Sequence, residues 1–151
     1  MSSHISVPWS IVVETVNVLR AASTTERVLL WLAERGSHGV VVREVFVPEQ
    51  YAESDYFHIP RIGMEGLLHH LRGRRWTVAA QVHTHPAAAF HSPADDRWAI
   101  VRHVGALSLV IPRFCQGTTA ATFSRDAAVF RMTSENEFVQ TEPRDAYEIS
   151  P

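Results

Sequence analysis

The chain of 151 residues contains one cysteine, Cys115. A lone cysteine excludes a disulfide framework within the chain and every zinc site built on paired cysteines. No apolar run approaches the ~20 residues of a transmembrane helix, and residues 1–10 lack the basic start and apolar stretch of a secretion signal. These absences predict a cytoplasmic protein that does not span a membrane.

Neither sign of charge is in large excess. The 14 basic and 16 acidic side chains give a formal charge of −2, so no broad cationic field is present to attract nucleic acid. Glycine and proline are sparse, at 7 and 8 residues, and 46% of the residues are hydrophobic, which excludes a disordered or low-complexity chain. The length predicts a single domain, 1–151, whose core needs no structural metal.

Local patterns predict helices interleaved with strands. The spacing of apolar residues and the helix-start signals predict helices at residues 9–22, 63–71 and 92–103. Strands are predicted at residues 28–33, 40–47, 76–83, 106–111, 118–123 and 127–132, the last two as a hairpin. Residues 48–60 are a predicted loop and residues 133–151 an acidic, weakly patterned tail. This order predicts an α/β or α+β layer fold with a mixed sheet.

The predicted strand 76–83 alternates between two kinds of side chain. Because successive strand residues point to opposite faces, we expect Trp76, Val78, Ala80 and Val82 on one core face. The other face is more polar and ends at His83.

Two of the nine histidines stand at the end of this strand. His83 and His85 are separated by one residue, so both imidazoles point to the same side of a strand. Pro86 then ends the strand, and Ser92-Pro93-Ala94-Asp95 begins the next predicted helix, whose dipole favours an acidic residue there. Two neutral nitrogens and one carboxylate make three zinc ligands and leave a fourth position for water, as in a hydrolytic site.

Other interpretations of these residues are possible. An H-x-H pair occurs by chance in many proteins, and Ser92 with Asp95 could form only a helix cap. A zinc nucleobase deaminase is excluded because its chemistry uses H-x-E with a P-C-x-x-C pair, and barrel amidohydrolases need ~250 residues.

The segment His83-Thr84-His85-Pro86 followed by Ser92-Pro93-Ala94-Asp95 resembles the signature of the JAMM (JAB/MPN) metalloprotease family. Residues 26–33 resemble the glutamate-led first strand of the family, and residues 45–50 with 54–56 resemble the strand and loop that follow it in ubiquitin-directed members. The resemblance covers residues 14–132. Leu29 and Ala33 stand where the family usually has glycines, and nine residues separate His85 from Asp95 where ten are usual, which leaves Asp96 as an alternative ligand.

The resemblance implies roles for individual residues. His83, His85 and Asp95 would bind one Zn²⁺ per chain, Glu26 would be the general acid/base acting through the zinc water, and Ser92 would help to stabilise the oxyanion. Glu14, Glu34 and Glu44 are the other candidate bases. The implied fold is α/β, with a mixed central β-sheet flanked by helices, as in JAB/MPN and cytidine-deaminase-like proteins.

The resemblance also implies a function. A minimal, prokaryote-type member would be a zinc isopeptidase or peptidase that removes ubiquitin or a ubiquitin-like protein from conjugates or C-terminal fusions. Its partners would be that modifier and the activating and conjugating enzymes of the same pathway, for example in bacterial antiphage defence, with no nucleic acid or membrane partner. The alternative is a catalytically silent MPN-type scaffold that binds partner proteins.

Overall fold

The computed structural model describes residues 4–52, 57–90 and 99–151. Its centre is an eight-stranded sheet with the order β10-β1-β3-β2-β6-β7-β8-β9, and β4 and β5 form a separate hairpin. The strands are β1 Ile5–Pro8, β2 Val28–Gly36, β3 Gly39–Phe46, β4 Tyr51–Ala52, β5 Phe57–His58, β6 Trp76–Thr84, β7 Leu107–Ile111, β8 Ala128–Met132, β9 Phe138–Thr141 and β10 Glu148–Ser150. The helices are α1 Trp9–Ala21, α2 Arg61–Leu71, α3 Phe123–Asp126 and α4 Pro143–Ala146.

The strand β6 lies in the middle of this sheet. It pairs antiparallel with β2 on one side and parallel with β7 on the other. Pairs of both kinds make the sheet mixed, and helices cover its faces, so the predicted fold class is confirmed. Among the described residues, no helix is long and apolar enough to cross a membrane.

A hydrophobic core packs on each face of the sheet. On one face, Ile11, Val12, Val16 and Leu19 of α1 pack among the strands and around the fully buried Trp31. On the other face, Leu67 of α2 belongs to a second cluster. Because both faces are covered, β6 is buried over its last six residues.

A β-bulge interrupts the pairing of β6 with β2. Trp31 pairs with Ala80, but the next residue, Leu32, pairs with Val78, which leaves Ala79 as the extra residue. An extra residue in one strand changes which of its side chains share a face. Sequence alternation alone does not reveal where such a bulge lies.

The bulge makes the predicted faces of β6 wrong. Trp76 and Val78 pack against the α2-side cluster rather than with Ala80 and Val82, which belong to the α1-side cluster. Gln81 pairs across the strands with Leu30, a member of the α2-side cluster, so Gln81 also faces that side. The α2 side of β6 therefore carries the apolar Trp76 and Val78 as well as the polar Gln81, two residues before His83.

Two other predictions differ from the structure. Of the predicted helix 92–103, residues 92–98 lie outside the described part, and residues 99–103 are not helical. The predicted strand 118–123 is instead a turn leading into α3, where Asp126 accepts hydrogen bonds from the hydroxyls of Thr118 and Thr122. These local side-chain bonds compete with strand formation.

Residues 133–151, the weakly patterned tail of the sequence analysis, contribute to the sheet at both of its edges. β9 pairs with β8, and β10 pairs with β1. Tyr147 between α4 and β10 is buried, and its ring meets Trp31 edge-on at 5.7 Å between centroids. One aromatic residue thus anchors a segment whose other side chains are mostly polar.

The predicted loop 48–60 contains the hairpin β4–β5, and residues 53–56 lie outside the described part. Gly63 in α2 lets the helix approach this segment closely, because a Cβ at that position would lie 2.3 Å from the carbonyl oxygen of Glu49. The loop is thereby held against the start of α2.

Candidate active site

His83 and His85 lie at the end of β6, and both are buried. Their ring centroids are 5.2 Å apart, and the ring planes are inclined by 54°. The backbone N–H of His85 donates to the carbonyl of Ile111 at 2.9 Å, so pairing with the β7 side continues past the last residue of β6. The structure therefore brings the two imidazoles together at one end of the sheet.

The spacing of these rings fits two nitrogen ligands of one metal ion. Two imidazoles that would hold one zinc ion, each through a nitrogen, must have their rings within several ångströms of each other. The observed separation is 5.2 Å. Buried neutral imidazoles are ordinary ligands of zinc, and the donor set and its spacing are both suitable for this metal.

Glu26 lies at the same end of the sheet. It is 3% exposed and lies two residues before Val28, the first residue of β2. Val28 pairs with His83, and the backbone N–H of Thr84 donates to the carbonyl of Arg27 at 3.1 Å. In an antiparallel pair each step along one strand is a step back along the other, so Glu26 lies level with His85.

The other candidate bases lie elsewhere. Glu14 is exposed on α1. Glu34 pairs with Trp76, at the opposite end of β6, and its carboxylate binds Arg43 at 3.1 Å. Glu44 bonds to His70 at 2.6 Å. Of the four glutamates considered, Glu26 is the one that the strand register brings level with the histidines.

A side chain missed by the sequence analysis, Gln50, fixes the backbone beside Glu26. Its Oε1 accepts a hydrogen bond from the N–H of Val28, and its Nε2 donates to the carbonyls of Val28 and Pro48, each at 2.9 Å. Gln50 thus forms hydrogen bonds with both the N–H and the carbonyl of Val28, as a residue of a neighbouring strand would. No sequence motif marks this role, because the bonds join residues 22 positions apart.

The loop that follows His85 is held by an unusual turn. Arg113, Phe114 and Cys115 all have positive φ, at 54°, 51° and 64°, a conformation that costs non-glycine residues roughly 1–2 kcal/mol each. In this turn the N–H of Phe114 donates to the carbonyl of His85, and the N–H of Arg113 donates to that of Ala87. The strained turn therefore fastens the backbone of one histidine.

The cysteine of this turn does not supply a nucleophile. Cys115 is fully buried. Burial raises the pKa of its thiol to about 11, and the neighbouring Arg20 offsets only part of that effect. Because the thiolate is the reactive form, Cys115 is inert at neutral pH.

Both described ends of the connection from β6 to β7 contact the sheet close to the histidines. The ring of Phe90 meets His85 edge-on at 4.6 Å. The N–H of Ile100 donates to Oε1 of Gln81 at 3.0 Å, while Nε2 of Gln81 donates to the hydroxyl of Ser108. Gln81 is buried, two residues before His83.

Ser92, Asp95 and Asp96 lie outside the described residues. Within residues 4–52, 57–90 and 99–151, no group of three or more histidine, cysteine, aspartate or glutamate side chains is arranged to hold a metal. The roles of Ser92 and Asp95 stay predictions, as does the choice between Asp95 and Asp96.

The sequence is similar to that of a curated protein named as a probable metalloprotease. Over 95 residues it is 32% identical to probable metalloprotease y4jG of Sinorhizobium fredii (strain NBRC 101917 / NGR234), covering 60% of this chain and 59% of that protein. The chain therefore spans about three fifths of the length of this relative. No protein-family model matches the sequence.

Solved structures share the fold over nearly the whole chain. A protein from Desulfitobacterium hafniense, solved in solution, is 17% identical with a TM-score of 0.68, covering 97% of this chain and 92% of its own. A JAB1/MPN domain protein from Archaeoglobus fulgidus is 13% identical with a TM-score of 0.54, covering 98% and 99%. At these identities the likeness concerns the fold alone.

Proposed function

This chain has the JAB/MPN fold, its similarity to a probable metalloprotease supports membership of the JAMM/MPN family, and from this premise we propose that it is a zinc-dependent peptidase. Its substrates would be ubiquitin or a ubiquitin-like protein joined to a lysine or to a C-terminal extension. The observation that carries the proposal is the convergence of His83, His85 and the buried Glu26 at one end of the sheet.

The proposed zinc ligands are His83, His85 and Asp95. Asp95 is five residues from Phe90 and five from Ile100, and both of those residues contact the sheet beside the histidines. Five residues span at most about 17–18 Å, so the chain length allows Asp95 to reach the histidine pair. An aspartate would complete a three-ligand site with a further position for the reaction.

A zinc ion held by these ligands would polarise the scissile carbonyl and make water reactive at neutral pH. Glu26 would take a proton from the attacking water at its carboxylate and deliver it to the leaving amine nitrogen. Glu26 is buried at a position level with His85, which keeps the carboxylate away from bulk water. The Ser92 hydroxyl would donate a hydrogen bond to the oxyanion, whose negative charge develops in the transition state.

Exposed aromatic side chains at this end of the sheet support a protein substrate. Phe90 packs against His85 and is 53% exposed, and Tyr51 in β4 is 67% exposed. The hairpin β4–β5 and Phe90 therefore offer apolar contacts for the extended C-terminal tail of a modifier. Enzymes that activate or conjugate the same modifier are proposed partners.

The test combines metal analysis with a cleavage assay. The purified protein should contain one zinc per chain and should cleave ubiquitin or a ubiquitin-like protein that carries a C-terminal fusion. His83→Ala combined with His85→Ala should abolish zinc binding in a folded protein, and Glu26→Gln should keep the zinc but lose nearly all turnover. All 14 basic residues are arginine, so the enzyme offers no lysine side chain as an acceptor in such assays.

Two outcomes would contradict the proposal. Stoichiometric zinc in the double histidine variant would remove the histidines from the metal site. A zinc-loaded wild-type protein that binds the fusion but leaves it intact would instead favour the silent scaffold.

A further inference from the structure

A cavity of about 430 Å³ opens at the other end of the sheet from the histidines. Thr77 and Ala79, near the start of β6, contribute to its wall, whereas His83 is near the end of that strand. Six residues of strand separate Thr77 from His83 by roughly 20 Å. The cavity is therefore a separate site, and its volume is within the range of ~300–1,000 Å³ that is typical of pockets for small molecules.

The inner wall of the cavity is apolar. Ile5, Val40, Ala79 and Met132 are buried residues that line it, and they come from four different strands. The exposed Val104 adds a further apolar side chain. A small inorganic anion would gain little from such walls, whereas a ligand with a hydrocarbon body would bury apolar surface there.

The charged residues that line the cavity are both arginines, Arg35 and Arg131. The titratable His103 also lines it, and the remaining lining residues include no aspartate or glutamate. This concentration of positive charge contrasts with the formal charge of −2 for the whole chain. Planar guanidinium groups bind carboxylates through paired hydrogen bonds.

Two neighbouring acidic groups already have side-chain partners. Glu34, adjacent to Arg35, binds Arg43 at 3.1 Å, and Glu148 binds His4 at 2.8 Å. Arg131 donates to the carbonyl of Asp145 through one nitrogen, Nη2. The other N–H groups of its guanidinium can therefore bind a ligand. Arg35 is exposed at the end of β2.

His103 experiences the charge of this cluster. Its pKa is lowered, first by burial and then by the positive charge of Arg35. An anion bound beside Arg35 would offset that charge and raise the pKa of His103 again. The pKa of His103 can therefore be used to detect the binding of an anion in the cavity.

From the apolar wall and the basic residues together, we propose that this cavity binds a small organic carboxylate with an apolar body. The carboxylate would be held by Arg35 and Arg131, and the hydrocarbon part would lie against the wall formed by Ile5, Val40 and Ala79. The site is independent of the proposed peptidase activity.

Octanoate is a suitable probe. Acetate has the carboxylate without the long hydrocarbon chain, and octan-1-ol has the hydrocarbon chain without the carboxylate, so each serves as a control. In calorimetric titrations, octanoate should bind the wild-type protein at one site, and acetate and octan-1-ol should each bind at least tenfold more weakly. Arg35→Gln should weaken octanoate binding at least tenfold. Arg61→Gln, which alters an exposed arginine of α2 that pairs with Glu65 outside the cavity, should leave it unchanged.

A carboxylate could also ligate a metal at the histidine pair, so the titration is repeated with the double variant His83→Ala and His85→Ala. Binding to this variant should equal that of the wild type. In proton NMR, the pKa of His103 should rise when octanoate is bound. Equal affinity for acetate and octanoate, an unchanged affinity in Arg35→Gln, or loss of binding in the double histidine variant would each overturn the proposal.

Discussion

Replacement of Gln50 by leucine tests whether this side chain holds the start of β2. Leucine removes three hydrogen bonds of 2.9 Å each and leaves the N–H of Val28, a fully buried residue, without its acceptor. A net hydrogen bond contributes about 0.5–1.5 kcal/mol, and an orphaned buried group costs about 1–3 kcal/mol. Because leucine recovers some apolar burial, we expect Gln50→Leu to lower the free energy of unfolding by about 2–3 kcal/mol.

Urea unfolding followed by circular dichroism measures this change, because a shift of the midpoint at constant slope reports stability. The matched control is Gln140→Leu, an exposed position on the edge strand β9, where we expect a change within about 0.5 kcal/mol. A destabilisation by Gln50→Leu no larger than that of the control would refute the reasoning.

The same variant separates stability from activity. Val28 is two residues from Glu26, so a loosened β2 start should displace Glu26, which the register places level with His85. Cleavage at a temperature where the variant is fully folded should therefore fall, while the zinc content stays constant. Full activity in the folded variant would mean that Glu26 is positioned without Gln50.

Three further predictions concern the third ligand, the cysteine and the strained turn. Asp95→Asn should lower zinc affinity strongly, whereas Asp96→Asn should change stability by at most ~1 kcal/mol. The zinc dissociation constants of the two variants distinguish the candidates, and a larger loss of zinc affinity in Asp96→Asn would make Asp96 the ligand. Because the folded pKa of Cys115 is raised from 9.0 to about 11, the contribution of the buried thiol to stability is complete below pH 9 and is lost as pH rises toward 11. Cys115→Ala should reduce this alkaline loss of stability in urea titrations. An unchanged pH profile of stability would contradict the raised pKa of Cys115. Arg113→Gly should be more stable than Arg113→Ala by about 0.5–1 kcal/mol in urea unfolding, because glycine adopts positive φ freely but loses more chain entropy; equal stabilities would argue against strain at this position.

The sequence was informative wherever a local pattern decided the structure. The apolar spacing of residues 9–22 predicted α1, and the β-branched run from Val40 predicted β3, which the structure gives as Gly39–Phe46. The H-x-H spacing also predicted that the two imidazoles would face the same way. These features depend on neighbours a few positions apart.

Features that depend on distant contacts were not predictable. The bulge at Ala79 exists because β6 must pair with β2, and nothing near Ala79 in the sequence encodes it. Residues 99–103 have the composition of a helix end, but the N–H of Ile100 bonds to the distant side chain of Gln81. Gln50 was missed for the same reason, since its partner is 22 residues away.

The register between β2 and β6 has a consequence for the kinetics of folding. The hydrogen bond from Arg27 to Thr84 closes a loop of 57 residues, and this pair aligns Glu26 with His85. Closing such a separation is slow compared with forming α1 or a short hairpin. The histidine pair itself is local, so refolding chains would acquire two nitrogen ligands early and the carboxylate only after β2 has paired. If the proposed peptidase site forms in this order, zinc binding by the two histidines should precede the proposed cleavage activity during refolding. The delay between the two would measure how long the pairing of β2 with β6 takes.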